Sequence, residues 1–199
     1  GSALAPTYLG ATATLELLTG LDPIPEPLEI ADHSGATAIR VLKTSGSYWT
    51  GLNGAISLQG LAGIETSDSI GGLYLRGPMS GPGGIIFSTL DPDVEFHYEG
   101  VATNTYTGLT HVRHGKLYLD RTNAQAIAGP LRLGDSTYLV TRARALALQP
   151  NQFASTVALT IDRDGAFESF ATPQNIGALN GTGNVYLYGT AFGIGHGDA

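Results

Sequence analysis

The sequence predicts an all-β protein built as a parallel β-helix, in which the chain coils and each turn stacks on the one before. Three observations carry this prediction: short segments with alternating apolar residues, abundant glycine, and sequence patterns that recur about one hundred residues apart. Long helical periodicity is missing. Residues 141–149, which are rich in Ala and Leu, lack a convincing helix cap and are predicted as strand.

Aliphatic residues two positions apart mark the predicted strands. This spacing is typical of a strand with one buried face, and Gly, Pro, Asn or Asp separates one strand from the next, which indicates turns. The pairs are Leu28/Ile30, Ile56/Leu58, Leu73/Leu75, Leu117/Leu119, Leu131/Leu133, Leu159/Ile161 and Val185/Leu187.

Composition excludes several classes of protein. Glycine accounts for 28 of 199 residues, which is about twice its usual frequency, and charged residues make up 14% where about 25% is typical. The net charge of -7 argues against nucleic acid or an anionic membrane as the main partner. The absence of cysteine excludes a disulfide framework, a zinc ribbon and a thiol nucleophile. No apolar run is long enough to span a bilayer, so we expect no membrane insertion in this segment.

Four pairs of similar segments occur in the same order in the two halves of the chain. We therefore expect residues 1–3 to be a remnant of tag removal with an N-terminal linker, residues 4–103 a first repeat copy, and residues 104–199 a second copy of the same continuous solenoid. Turns of about 20–25 residues would give about eight or nine coils. The matched segments are 7–12 with 105–110, 27–32 with 130–135, 56–58 and 64–65 with 159–161 and 167–168, and 79–83 with 179–183.

An antiparallel β-sandwich is the alternative fold. The dipeptides Asn53-Gly54, Asp164-Gly165 and Asn180-Gly181 are hairpin signals. The strand and glycine pattern nevertheless recurs along the whole chain, as expected when each turn meets only its neighbours.

The segment from Asn104 to Val112, Asn-Thr-Tyr-Thr-Gly-Leu-Thr-His-Val, followed by Gly115-Lys116-Leu117-Tyr118-Leu119, resembles the autotransporter-associated β-strand repeat, also called the passenger-associated transport repeat. Residues 128–135 and 175–185 are similar to the segments that follow in this family. The resemblance covers essentially the whole chain in two copies, and it is better in the second copy.

This resemblance implies a right-handed parallel β-helix from the passenger or stalk region of a large bacterial surface or secreted protein. The family has no catalytic residues to transfer. Its motif residues are structural: Thr and Asn at turns bond neighbouring backbone groups, and glycines permit positive φ at the corners.

Clustered acids are the first candidates for catalysis. Asp91, Asp93 and Glu95 occupy alternate positions, and paired carboxylates can divide the acid and base roles of polysaccharide cleavage. The competing interpretation is a solvated turn before a strand whose buried face is Val94, Phe96 and Tyr98. We favour the turn and expect no catalytic residues.

We also expect no metal and no cofactor. His111 and His114 lie three residues apart, which puts them on opposite faces of a strand, so we interpret them as surface residues. His33, His97 and His196 are isolated in sequence. The run Asp162-Arg163-Asp164-Gly165 resembles part of a calcium loop but lacks the other ligands, so we interpret it as a turn.

Tyrosines are the one candidate binding feature. Alternation turns Tyr74, Tyr118, Tyr186 and Tyr188 outward while their neighbours face the core. If the turns align, these side chains form a ladder whose flat rings suit sugars or a protein partner. Ordinary outward β-formers that pack on neighbouring turns are the alternative interpretation.

The sequence therefore predicts a non-enzymatic structural or adhesive solenoid segment of a bacterial secreted or surface protein, similar to an autotransporter passenger domain. Its expected partners are adjacent repeats of the parent chain and a surface glycan or a protein of a host or neighbouring cell. The alternatives are a β-helical carbohydrate-binding module and a polysaccharide-cleaving enzyme.

Overall fold

The computed structural model describes residues 5–20, 23–42, 49–66, 72–171, 173–189 and 191–195. The predicted tag remnant and linker at residues 1–3, and His196, lie outside this part of the chain. The described residues form β-strands and no helix, so the all-β prediction is confirmed. Within these residues we find no helix of the length and apolarity that crossing a membrane requires.

The described residues form twenty-one short strands. In chain order they are β1 (Thr7–Leu9), β2 (Leu15–Leu18), β3 (Leu28–Ile30), β4 (Thr37–Leu42), β5 (Trp49–Leu52), β6 (Ile56–Leu58), β7 (Ala62–Thr66), β8 (Gly72–Leu75), β9 (Met79–Ser80), β10 (Ile85–Thr89), β11 (Glu95–Gly100), β12 (Thr110–Val112), β13 (Gly115–Arg121), β14 (Leu131–Leu133), β15 (Ala143–Ala147), β16 (Ala158–Ile161), β17 (Gly165–Ser169), β18 (Gln174–Ile176), β19 (Ala178–Gly181), β20 (Asn184–Leu187) and β21 (Phe192–Ile194).

The strands stack in parallel on three faces. The first face holds β1-β3-β6-β9 and, further along, β18-β21; the second holds β19-β16-β14-β12-β10-β7-β4-β2; the third holds β20-β17-β15-β13-β11-β8-β5. Backbone hydrogen bonds through Thr105 and Ala126 continue the first face between β9 and β18. Each named strand pairs in parallel with a strand one turn away, for example β10 with β7 and β12. The predicted parallel β-helix is confirmed, and the antiparallel sandwich is excluded.

The solenoid makes about seven turns, slightly fewer than the eight or nine expected from the sequence. Turn length varies along the chain. Val112 pairs with Leu133, whereas Leu133 pairs with Ile161, which lies much further along. The longer turn contains residues 134–142, which run outside the sheets between β14 and β15.

The core is the inside of the coil, and the predicted aliphatic pairs fill it. All of these pairs up to Leu159/Ile161 are buried. The pair in β20 is the exception, since Val185 is half-buried and Leu187 is exposed. Among the described residues β20 is an edge strand, so its side chains have a neighbouring strand on one side only. Residues 141–149 contain β15, as the sequence predicted.

Strand pairing runs without interruption across residues 103 and 104, where the sequence places the boundary between two copies. Strand β10 lies before this point and pairs with β12 after it. The matched segments do not occupy equivalent faces: β3 lies on the first face and its counterpart β14 lies on the second. The continuity of the solenoid is therefore shown, while the two-copy division stays a prediction.

A column of glycines at the corner between the first and second faces lets successive turns approach closely. The column comprises Gly60, Gly83, Gly108 and Gly129. A Cβ added at Gly108 would lie 2.4 Å from the carbonyl oxygen of Gly83, and one at Gly129 would lie 2.3 Å from that of Gly108. None of the four has positive φ. Positive φ explains other corner glycines, such as Gly81, but this corner needs glycine because backbone packs directly on backbone.

Arg121, at the end of β13, is fully buried and bonds backbone carbonyls of the preceding turns. Its Nη1 donates to the oxygen of Ala102 at 2.7 Å and its Nη2 to that of Gly77, also at 2.7 Å. Burial lowers the pKa of this guanidinium from its usual value. The Arg121 side chain therefore joins several stacked turns. Nothing in the sequence predicts that this side chain lies inside the coil.

Buried amides also join neighbouring turns, as expected for Asn at a turn. Asn104 accepts a hydrogen bond from the backbone of Met79 at 3.0 Å and donates one to Ala126 at 2.8 Å. Gln152 exchanges two hydrogen bonds with the backbone of Arg121. These amides satisfy backbone groups at a corner where the strands end.

We expect Gly108→Ala to destabilise the protein by about 1–3 kcal/mol, since the new methyl group would overlap the Gly83 carbonyl and push two turns apart. Chemical denaturation measures the change. Gly10→Ala is the matched control, because its nearest neighbour would be 3.8 Å away and its φ is not positive. Equal stability of the two variants would contradict the close-packing explanation.

We expect Arg121→Leu to destabilise the protein by about 3 kcal/mol, since it leaves buried carbonyl oxygens of Gly77 and Ala102 without donors. The urea midpoint reports the effect. Arg113→Leu removes the same charge from an exposed site and should change stability by less than about 0.5 kcal/mol. A similar midpoint for both variants would show that the buried hydrogen bonds contribute little.

Candidate functional site

Three of the four predicted tyrosines lie in one outward column of the third face. Strand register aligns Tyr74 with His97, His97 with Tyr118, and Tyr118 with Leu146. The column continues through Glu168 to Tyr186. Tyr188 follows the end of β20. The structure thus confirms the outward direction but separates Tyr186 from the other two by two strands.

Four rings form an aromatic ladder: Tyr74, His97 and Tyr118 from this column, and Trp49, which pairs with Gly72 in the adjacent column and whose ring stacks on that of Tyr74. Trp49 and Tyr74 stack with centroids 4.8 Å apart, and His97 and Tyr118 stack at 4.4 Å with nearly parallel planes. Tyr74 and His97 are tilted at 4.9 Å and close the gap between the two pairs. Such contacts are favourable beyond the area they bury.

Charged side chains flank the ladder and hold its polar atoms. The Tyr118 hydroxyl donates to Glu95 at 3.0 Å, and the same carboxylate lies 3.3 Å from Nε2 of His97. Arg76 pairs with Glu99 and covers the Tyr74 ring at 4.3 Å. Burial, the hydrogen bond to Glu95 and the charge of that carboxylate raise the pKa of Tyr118 to about 12.

The ring faces of the ladder are largely covered by the protein itself. Tyr74 lies between Trp49 and His97, and Tyr118 stacks on His97. A sugar needs a free ring face, so this geometry favours the structural interpretation for Tyr74 and Tyr118.

A groove of about 260 Å³ lies further along the third face. We call it the cationic groove, because Lys116, Arg142 and Arg144 line it. Register places Lys116 beside Arg144 and Arg144 beside Ala166 on adjacent strands. The small side chain of Ala166 leaves space between the longer neighbours. The other lining residues are Pro92, Asp93, Thr141, Tyr186 and Tyr188.

Two of the three cations have carboxylate partners. Lys116 lies 2.8 Å from Asp93, and Nε of Arg144 donates to Glu168 at 2.6 Å. Glu168 is almost fully buried. The hydrogen bond from Lys116, together with its charge, lowers the pKa of Asp93. Within the described part of the chain Arg142 forms no ion pair, and its Nε is buried without a hydrogen-bond partner.

The groove brings together the two predicted tyrosines that the ladder leaves out. Tyr186 is 45% exposed and Tyr188 is 54% exposed. Tyr188 stacks on Phe170 with centroids 4.5 Å apart. Tyr186 has no aromatic neighbour among the residues that the structure describes, so its ring is available to a ligand.

The structure agrees with the interpretation of Asp91 and Asp93 as part of a turn. Asp91 accepts a hydrogen bond from the backbone of Asp93 at 2.9 Å, and both lie in the turn before β11. Val94, Phe96 and Tyr98 are buried, as predicted. Glu95 interacts with the ladder and Asp93 with Lys116. The pKa of Asp93 lies below its usual value, which does not suit a general acid at neutral pH.

The surface interpretation of His111 is wrong. Its side chain is buried in β12, where Nε2 lies 2.8 Å from the carbonyl oxygen of Gly134, and burial lowers its pKa. His114 is half-buried and contacts the carbonyl of Thr89 at 3.2 Å. Sequence reasoning missed this because β12 has both faces covered, so polarity does not alternate along it.

Asp162 and Asp164 have structural partners. Asp162 pairs with Arg132 at 2.7 Å. The buried carboxylate of Asp164 accepts backbone hydrogen bonds from Ser136 at 2.8 Å and Tyr138 at 3.2 Å, which anchors the loop before β15. Among the described residues, no group of three or more His, Asp or Glu side chains is placed to hold a metal ion.

Sequence reasoning missed the partners of the tyrosines. The prediction that Phe96 and Tyr98 face inward already implies that His97 faces outward, so its place in the ladder was available from alternation. The clustering of Lys116, Arg142 and Arg144 could not be predicted from alternation, because it depends on the strand register and on how residues 134–142 fold back.

No protein-family model, curated protein or solved structure matches this chain. The resemblance to the autotransporter-associated repeat therefore stays a prediction.

We expect the phenol of Tyr118 to ionise near pH 12, so phenolate absorbance should show a late component that Tyr118→Phe lacks. Because the folded pKa is raised, this group's contribution to stability is complete below pH 10 and is lost as the pH rises through about 12. Glu95→Gln removes the acceptor charge and should move the component to lower pH. An unchanged titration in Tyr118→Phe would contradict the assignment.

Proposed function

We propose that the chain is a non-catalytic structural and adhesive segment of a bacterial secreted or surface protein, similar to an autotransporter passenger domain. The observation that carries this proposal is the parallel solenoid, whose apolar core and strand ladders run through the described turns. A stacked coil of this kind extends the chain as a rigid element, since each turn contacts only its neighbours.

The family resemblance is the basis for proposing a surface or secreted location for the protein. Asn104 is the first residue of the motif that carries the resemblance, and it bonds the turns on either side. These hydrogen bonds support the structural interpretation of the motif. The low charge and absence of cysteine are consistent with a self-stacking extracellular element.

A carbohydrate-binding module is the second candidate, and the exposed rings of Tyr186 and Tyr188 beside the cationic groove favour it. It is compatible with the first, because an adhesive stalk needs a ligand. The polysaccharide-cleaving alternative has less support, since Asp91, Asp93 and Glu95 each have a partner within the structure.

We expect an antibody raised against the purified chain to label intact cells, or the culture medium, of the bacterium that encodes it. An antibody to a cytoplasmic enzyme serves as the control for cell integrity. Treating intact cells with protease should remove the surface signal. Labelling that requires cell lysis would overturn the surface assignment.

A further inference from the structure

We infer that the cationic groove binds an acidic sugar, meaning a pyranose unit that carries a carboxylate or sulfate group. This inference deepens the carbohydrate-binding candidate above and depends on it. It does not depend on where the parent protein resides, because binding is a property of the purified chain.

Positive charge is concentrated in the groove of an otherwise acidic protein. The net charge of the chain is -7, yet Lys116, Arg142 and Arg144 converge on one side of the third face. Register puts Lys116 and Arg144 on adjacent strands, which are about 4.8 Å apart in a sheet. Asp93 and Glu168 pair with Lys116 and Arg144, so Arg142 supplies the net positive charge that favours a negatively charged occupant.

Arg142 is the groove cation whose charge is not offset by a carboxylate of the described residues. Lys116 is neutralised by Asp93 and Arg144 by Glu168. The guanidinium carbon of Arg142 lies over the ring of Tyr138, 5.0 Å from its centroid. Within the described residues it has no carboxylate partner. A planar guanidinium of this kind suits the two oxygens of a carboxylate or sulfate group.

The aromatic side chains in the groove favour a ligand that contains a sugar ring in addition to its anionic group. Among the described residues Tyr186 has no aromatic neighbour and is 45% exposed, and Tyr188 stacks on Phe170. Tyrosine offers a rigid apolar face with a polar tip, which matches the C–H face and hydroxyl groups of a pyranose. Thr141 and Asp93 at the groove supply further hydrogen-bonding groups.

The dimensions favour a short stretch of sugar chain. A volume of about 260 Å³ lies just below the 300–1,000 Å³ usual for drug-sized ligands, so one or two sugar units fill it. A long polyanion such as nucleic acid would extend over a surface whose net charge repels it. An acidic peptide provides carboxylates but no saturated ring for Tyr186, so we assign the groove to a glycan.

Calorimetric titration of the whole chain at low ionic strength tests this assignment. The probes are a short oligogalacturonate, its uncharged methyl ester, a sulfated oligosaccharide of equal length and an oligoglutamate. We expect the uronate, the sulfated sugar or both to bind at least about tenfold more tightly than the ester, as charge-assisted hydrogen bonds predict. Added salt should weaken that binding. The two charged sugars distinguish carboxylate from sulfate as the anionic group.

Variants assign the binding to the groove. Arg142→Gln and Tyr186→Ser should each weaken binding about tenfold, while Arg142→Lys should retain part of it. Arg113→Gln and Tyr8→Ser are matched controls, since both residues are exposed and lie outside the groove. Arg144 is left intact because removing it would leave the buried Glu168 without its cationic partner. If Arg142→Gln lowers the unfolding midpoint, its binding result is not interpretable. The test then depends on Tyr186→Ser and on the salt dependence of binding.

Equal affinity for the acid and its ester would overturn the anion requirement while leaving the carbohydrate-binding candidate intact. Oligoglutamate binding as tightly as the charged sugars would overturn the glycan assignment. Unchanged affinity in both Arg142→Gln and Tyr186→Ser would show that the ligand binds elsewhere. Absence of binding to all four probes would overturn this inference without affecting the surface-labelling test of the structural role.

Discussion

Close stacking of one turn on the next is the constraint on which the rest of this structure depends. At the glycine column, backbone lies against backbone, and a single added methyl group at Gly108 would overlap the turn below. Hydrogen bonds between parallel strands hold successive turns at the same close spacing on all three faces. The backbone contact at the column also explains why the glycine excess is not mainly a matter of positive φ, since the four glycines of the column have ordinary backbone angles.

Side chains alternate between inward and outward directions along each strand. Because the turns stack in fixed register, these side chains form columns that run from turn to turn. Inward columns merge into one apolar core, while outward columns bring residues from distant parts of the sequence into contact. On the third face, one stretch of a column holds the aromatic ladder. Beside it, the change from Arg144 to the small Ala166 opens the cationic groove. A groove on this face therefore opens where neighbouring turns differ in side-chain size.

Much of the fold follows from the sequence because the strand signal is local. Leu117 and Leu119 are two residues apart and both face the core, as their spacing predicts. The buried His111 and Arg121 could not be predicted, since each is stabilised by carbonyl oxygens of other turns. The site was predicted in part: the outward direction of Tyr74, Tyr118 and Tyr186 follows from alternation, but their division between ladder and groove does not.

The recurrence of the strand and glycine pattern favoured the parallel coil over a sandwich. The sequence by itself determined the all-β class, the aliphatic core positions and the turn before β11. These depend on the two-residue period and on turn residues, both of which act within a few positions of the chain. The tertiary structure decided the length of each turn, the register between strands and hence which side chains meet. Register is a property of pairs of turns, so neither the position of His97 between two tyrosines nor the lining of one groove by Arg142 and Tyr186 can be deduced from any single segment.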